Sequence, residues 1–352
     1  MTSHRKPVGI ALSGEHLAVL LADRALTARL NDSGLTFAVA GIDRVDRAVP
    51  RPGGGQPGDT VDPFLAADTL AAWAPRLGWL TAAAVHQDDP YRLARRVASA
   101  SQRSGGRSGL VLGLRERSAL AGYDGRELWS WDGLTAGLPA SPATTRDTAA
   151  AIRSLWQGWP SPMSPVLAWR AESTGEAAAA RRVADVLIWP AGRPADLAAV
   201  AAASSGGPRL FLEMPAGGRE LGQRLARHLA DDRVAGLILR PQASETALRE
   251  FTGQLLPDLA GPAALRTQWP GPLRERLRLP VPQPGRHEQR HQAARADRAD
   301  RADRADRADR ADRADRADRA DRAAAAAAQG GLSGRVAAGQ STAPVRTPLF
   351  SR

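Results

Sequence analysis

The 352-residue sequence contains no cysteine, which excludes disulfides and thiolate metal sites together. Lysine is almost absent as well: Lys6 stands alone among 48 basic residues, and the others are arginine. Aromatic residues make up only 5% of the chain and do not interleave with the arginines in a nucleic-acid-binding stripe. No apolar run approaches the roughly 20 residues of a membrane span, and the opening MTSHRKPVGIALSG has too short an apolar stretch for a secretory signal. A soluble, cytoplasmic protein with neither a membrane nor a specific nucleic-acid partner is therefore expected. The formal net charge is +11, but the arginines are dispersed along the chain, so a solvated basic surface accounts for it.

What the chain has in plenty is short apolar runs alternating with amphipathic stretches, most plainly from Asp62 to Glu116. Asp62 and Pro63 combine an N-cap with a proline in the first helical turn. Leu65, Ala66, Leu70 and Trp73 then recur at helical spacing until Pro75. LGWLTAAAV (77–85) is an apolar run of the buried-strand type. Asp88, Asp89 and Pro90 open a second helix with Tyr91, Ala94, Val97 and Ala98 as its apolar face, and the turn at 104–107 leads into LVLGL (110–114). Two buried strands joined by a helix form a right-handed parallel unit.

The same alternation predicts strands at 6–14, 35–42, 164–169, 184–190, 208–214 and 234–240. Helices are expected at 15–30, 145–156, 172–183, 194–203, 219–230 and 245–256. Eight strands, each followed by a helix, are the arithmetic of a (β/α)8 TIM barrel. The expected α/β barrel spans 6–282, and 283–352 is a low-complexity C-terminal tail. Nine Arg-Ala-Asp triplets occupy 295–321; their charges cancel, and every Asp but the last precedes an Arg by four residues, the spacing that supports an exposed helix. An exposed single helix or a fraying helix–coil is expected there.

Two motifs are set aside on context. Gly53, Gly55 and Gly58 spell G-x-G-x-x-G, but prolines 50, 52 and 57 surround and interrupt it, so no strand precedes it and no helix opens within it. His287, Glu288 and His291 satisfy H-E-x-x-H in a highly polar segment without a framing apolar helix. No metal is expected.

In a barrel of this type the chemistry sits at the C-terminal ends of the strands. The residues falling there are His86, Gln87, Arg115, Glu116, Arg170, Glu172, Trp189, Glu213 and Arg240, a polar rim with both signs of charge. His86 is the only histidine expected near the mouth. Ser173, Thr174 and Gly175 open the helix after strand five, where two hydroxyls and backbone N–H groups suit either a phosphate or a simple helix cap.

The passage Asp62-Pro63, Arg76-Leu77-Gly78, Pro90-Tyr91, Ala94-Arg95 and the turn 104–107 resembles the bacterial luciferase-like flavin monooxygenases, most closely their nitrilotriacetate and dibenzothiophene-sulfone branch. The passage from Gly34 to Asp43, LWQGW (155–159), SPVLAWRAESTGEAAAARRVADVLIWP (164–190) and Leu273-Arg274-Glu275-Arg276-Leu277 extend the likeness in the right order. The resemblance implies a luciferase-like barrel binding reduced FMN, with a deazaflavin as the alternative, and using O2 to oxidise a small organic substrate. Reduced flavin would come from a separate flavin reductase, and the assembly weighed is a homodimer. Ser173, Thr174 and Gly175 would hold the phosphate, and Asp43 and His86 would flank the isoalloxazine. Ala84 occupies the end of strand three, where the family supplies Ser or Thr. Tyr91 and Arg95 would be structural or near the site. The family's His and Tyr, four apart after strand four, have no counterpart, since 115–150 holds no histidine. No catalytic residue is assigned, and the rival reading is a catalytically degenerate barrel that binds or scaffolds.

Overall fold

The computed structural model describes residues 6–45, 61–85, 89–113, 141–157, 163–192, 197–218, 220–260 and 271–282, with Arg310, Arg313, Arg316, Arg319 and Arg322 beyond them. The strands are β1 (Val8–Leu12), β2 (Phe37–Ala40), β3 (Gly78–Ala84), β4 (Ser108–Gly113), β5 (Val166–Arg170), β6 (Val186–Pro190), β7 (Arg209–Pro215) and β8 (Gly236–Arg240). They pair in chain order, all parallel, and β8 closes on β1 with Val8 opposite Leu237. The result is a closed (β/α)8 barrel, as the alternation of the sequence predicts. All eight expected strands are present.

Closure explains why these strands are apolar on both faces. Ala11, Phe37, Val39, Leu80, Ala82, Val111, Ala168, Ile188, Phe211 and Ile238 fill the interior. Their alternate neighbours, among them Trp79, Leu112, Trp169, Leu187, Trp189 and Leu239, pack outward under the helices. Phe37 and Phe211 meet edge-on across the interior with ring centroids 5.8 Å apart. Their bulk is matched by Gly9 and Gly236, where an added Cβ would lie 2.5 and 2.3 Å from the rings. Two large side chains opposite two absent ones keep the interior at close-packed density.

The helices are α1 (Gly14–Ala22), α2 (Arg24–Asp32), α3 (Pro63–Trp73), α4 (Pro90–Arg103), α5 (Pro142–Trp156), α6 (Thr174–Ala180), α7 (Leu197–Ala203), α8 (Leu221–Ala230), α9 (Glu245–Glu250), α10 (Leu256–Ala260) and α11 (Leu273–Arg276). The single helix expected at 15–30 is two helices. Asp23 ends α1 with an extended backbone, and its carboxylate then caps α2 by accepting the N–H of Leu26 at 2.9 Å. Capping propensity interrupts a periodicity that ignored it. The expected faces of α3 and α4 are packed at Ala66 and Leu70 and at Ala94, Val97 and Ala98, but one residue of each is outside: Leu65 is 64% exposed while Phe64 and Ala67 are buried, and Tyr91 is 57% exposed while Leu93 is buried.

The N-terminal end of the barrel is stoppered by α11. Leu273, Leu277 and Leu279 join the interior cluster, and a Cβ on Gly78 would lie 2.5 Å from Leu273 Cδ1. Arg274, 2% exposed at its side chain, reaches Asp185 through Nη1 at 2.9 Å and Nη2 at 3.0 Å. Two of the sequence blocks, VAD at 183–185 and LRERL at 273–277, thus meet as one buried ion pair.

The chain divides into two compact units, Met1–Gly285 and Arg286–Arg352. In the second, the five described arginines, from Arg310 to Arg322, are helical and exposed. No helix among the described residues is long and apolar enough to cross a membrane. No group of three or more His, Asp or Glu among them could hold a metal ion.

Candidate functional site at the barrel mouth

Four of the rim residues form one buried network. On the inward-facing register, Arg170 ends β5, Glu213 lies near the end of β7 and Arg240 ends β8. Arg170 is 1% exposed at its side chain. Its Nε donates to Glu213 Oε2 at 2.7 Å, and its Nη1 donates to Glu172 Oε1 at 2.5 Å and to the Val45 carbonyl at 3.2 Å. Arg240 Nη1 completes the set by donating to Glu213 Oε1 at 2.9 Å. Two guanidiniums and two carboxylates balance. Such balance is required, because an unpaired ion buried at this depth costs several kcal/mol. Trp189, expected on the rim, instead packs outward beneath the helices. Alternation along β6 puts its odd positions there. Gln87, Arg115 and Glu116 lie outside the described residues.

The opposite half of the mouth is covered by the turn that follows β2. Gly41, in the left-handed region at φ 74°, starts a 3-10 turn over Ile42–Arg44. Ile42 and Val45 are each 1% exposed and belong to the interior cluster. Val45 sits directly over the end of β4: a Cβ on Gly113 would lie 2.7 Å from Val45 Cβ. Asp43 accepts the Gly14 N–H at 3.1 Å, tying the turn to the start of α1.

A histidine that the sequence reading overlooked stands beside this turn. His16, in the first turn of α1 and 1% exposed, lies at the C-terminal end of β1. Its Nε2 contacts the Gln242 carbonyl at 2.7 Å, just past β8, so Nε2 carries the proton. Its Nδ1 accepts the Ser13 N–H at 3.3 Å. Burial holds its pKa below 6.5, partly offset by the Gln242 carbonyl and by Glu15 and Asp43. A neutral imidazole with a fixed tautomer is the consequence. His86 was therefore not the only histidine to consider. The signal that could have found His16 is Ser13 three residues ahead, because Ser-x-x-His can form a reciprocal cap.

Among the other sequence-predicted site residues, Ala84 ends β3, and His86 lies outside the described residues. Ser173, Thr174 and Gly175 are exposed at the start of α6. Ser173 Oγ accepts the Glu176 N–H at 3.2 Å and donates to Glu176 Oε1 at 3.2 Å. Glu172 turns inward to Arg170 and away from this helix start, its side chain 4% exposed. The first-turn amides of Thr174 and Gly175 have no helical carbonyl to bind, as at any helix start. The same helix start already holds a carboxylate: Glu176, 2% exposed, accepts the Ser173 hydroxyl through Oε1 at 3.2 Å and the Glu172 N–H through Oε2 at 3.4 Å. Tyr91 and Arg95 lie on the exposed face of α4.

No sequence family and no curated protein matches the chain. Solved structures do. EDTA monooxygenase from Chelativorans sp. BNC1 superposes with a TM-score of 0.57 at 15% identity, over 80% of this chain and 100% of that one. DmoA from Hyphomicrobium sulfonivorans gives 0.55 at 13% identity, over 78% and 92%. A riboflavin lyase, solved with modified FMN and riboflavin, gives 0.54 at 14% identity, over 81% and 98%. The fold these structures share with the chain is the (β/α)8 barrel. At 13–15% identity the likeness is one of fold, and fold alone does not carry function. In (β/α)8 barrels chemistry gathers where the strands end. That end here holds the Arg170 network, the Val45 turn and the exposed start of α6.

Proposed function

We propose that this barrel is an FMN-dependent monooxygenase that takes reduced flavin from a separate reductase and uses O2 to oxidise a small organic substrate in the cytoplasm. The observation that carries the reading is the fit of this chain along the whole length of EDTA monooxygenase, with an exposed helix start at the C-terminal end of β5. An F420-dependent secondary alcohol dehydrogenase shares the fold more distantly, with a TM-score of 0.50 at 10% identity, so a deazaflavin is the alternative cofactor.

When bound, reduced flavin supplies the reducing equivalents that activate O2, and the protein supplies binding, orientation and exclusion of water. The Thr174 and Gly175 amides, with Ser173, would hold the phosphate. Asp43 and His86 would flank the ring system, and Ala84 would be a further cofactor-binding position at the end of β3. The network of Arg170, Glu172, Glu213 and Arg240 would present a charge-balanced floor beside the cofactor. The homodimer is the assembly proposed for it.

Anaerobic titration with reduced FMN, beside oxidised FMN and a deazaflavin, tests the reading. Binding in the micromolar range is expected. Ser173→Asp should weaken it by at least about tenfold, because it adds a negative charge at the phosphate. Absence of binding by every flavin near millimolar concentration would leave the barrel as a binding or scaffolding protein without a cofactor.

A further inference from the structure

Among the described residues, Arg170, Arg274 and Arg276 are the buried arginines, at 2%, 1% and 5% exposure. Two of them meet carboxylates, Arg170 through Glu172 and Glu213 and Arg274 through Asp185. Arg276 meets none. Its Nε donates to the Gly271 carbonyl at 2.8 Å and its Nη1 to the Arg76 carbonyl at 2.5 Å, while its Nη2 has no hydrogen bond among the described residues. Glu275, next to it in sequence, is exposed. The charge that acts on Arg276 is instead a second cation: burial, and after it the charge of Arg107, push its guanidinium down to about 10. Arg107 also lacks a carboxylate. Its Nε donates to the Ser104 carbonyl at 2.7 Å, its Nη1 to the Leu77 carbonyl at 3.0 Å and its Nη2 to the Ala71 carbonyl at 3.3 Å. The two guanidiniums thus hold the carbonyls of consecutive residues, Arg76 and Leu77.

Helix ends account for part of this arrangement. Ala71 lies in the last turn of α3 and Ser104 is the C-cap of α4, and each helix C-terminus carries about half a negative charge. Two such ends offset about one of the two positive charges. The remainder sits beside a buried side chain, where water compensates poorly and charges are ordinarily paired. Gly106, adjoining Arg107, is packed against Met163 and Pro272, and the stretches leading into them, 158–162 and 261–270, contain neither Asp nor Glu. We propose that Arg107 and Arg276 form a binding site for an oxoanion of the phosphate or sulfate type, which ties α11 to the ends of α3 and α4. An oxoanion edge matches a guanidinium fork, and Nη2 of Arg276 supplies uncommitted donors. The site lies with α11 at the end of the barrel opposite the mouth, so it stands or falls apart from the flavin reading.

The test titrates the full-length protein, without flavin, with inorganic phosphate, and with sulfate and chloride at matched ionic strength, followed by calorimetry and thermal melts. Phosphate should bind with a dissociation constant of about 1 mM or tighter. It should raise the melting temperature beyond the effect of chloride, and sulfate should compete with it. Arg107→Gln and Arg276→Lys should each weaken phosphate by at least about tenfold, since the first removes a charge and the second the fork. The two substitutions lie on different elements, so either carries the test if the other variant fails to fold. Arg146→Gln, which removes an exposed arginine paired with Asp147 on α5, should leave binding unchanged. Identical melts in phosphate and chloride would overturn the proposal, because the pair would then be neutralised within the chain itself. Phosphate binding that survives Arg107→Gln and Arg276→Lys but is lost in Ser173→Asp would overturn it too, by placing the anion at the start of α6.

Discussion

Replacing Arg274 by methionine removes a guanidinium whose five N–H donors are all used. Nε and Nη2 donate to the Pro280 carbonyl at 3.2 and 2.8 Å, Nη1 to the Pro165 carbonyl at 3.2 Å, and Nη1 and Nη2 to Asp185 at 2.9 and 3.0 Å. In the Arg274→Met protein, Asp185 keeps Arg153 at 2.9 Å and the Leu167 N–H at 3.0 Å. Arg153 is 30% exposed at its side chain, however, and so is the weaker partner. Removing one member of a buried pair costs about 3–5 kcal/mol. With a urea slope of about 3 kcal/mol/M, the unfolding midpoint should fall by at least about 1 M near neutral pH.

The pH dependence carries a sign of its own. Burial raises the Asp185 pKa, but hydrogen bonds and charge from Arg274, with Arg153 and the Leu167 N–H, bring it below 3.8 overall. A carboxylate depressed in the fold contributes stability that is full above its unfolded value and lost as pH falls through the folded value. The wild type should therefore hold its stability down to about the unfolded carboxylate pKa and lose this contribution below it. Arg274→Met should reduce the contribution at every pH above that. Adding Asp185→Asn to Arg274→Met should cost less than about 1 kcal/mol more, because the charge left behind has gone. Urea melts followed by circular dichroism read all of this. A loss under about 1 kcal/mol for Arg274→Met, or strict additivity in the double variant, would refute the claim that this pair locks the barrel's N-terminal end.

The remaining expectations are simpler. His16, held below its ordinary pKa by burial, leaves the unfolded chain binding the extra proton below pH 6.5, so stability should rise with pH by up to about 1.4 kcal/mol per unit in that window. His16→Gln should flatten that slope in urea melts at several pH values; an unchanged slope would assign it elsewhere. Gly78→Ala should lower stability by about 1–3 kcal/mol, because the new Cβ meets Leu273 Cδ1 at 2.5 Å. Gly253→Ala, with open space around the new methyl, should be neutral or stabilising by up to about 1 kcal/mol. Thermal melts distinguish the two, and equal losses would deny the packing role of Leu273.

Much of the fold was legible because a parallel barrel writes itself in local terms. Its strands are buried on both faces, so each appears as an uninterrupted apolar run, and eight of them between amphipathic stretches leave few other architectures. Boundaries were less legible where a polar side chain competed with periodicity. Asp23 could have been a helical residue, and only its geometry shows that it ends one helix and caps the next. Tyr91 and Leu93 are both apolar enough to face inward, and only the packed structure shows that Leu93 does so while Tyr91 stays exposed.

The candidate site was legible as a list of rim residues but not as an arrangement. The sequence by itself determined the strands, their order around a closed barrel, and the fact that Arg170, Glu213 and Arg240 fall where strands end. Those are consequences of period and spacing. Tertiary structure alone decided that Arg170 spends its guanidinium on Glu172, Glu213 and the Val45 carbonyl. It also decided that His16 joins the mouth through Gln242, and that Arg274 finds Asp185 across 89 residues. Hydrogen bonds between distant segments depend on where barrel closure brings them in space, and no local pattern in the chain encodes that distance.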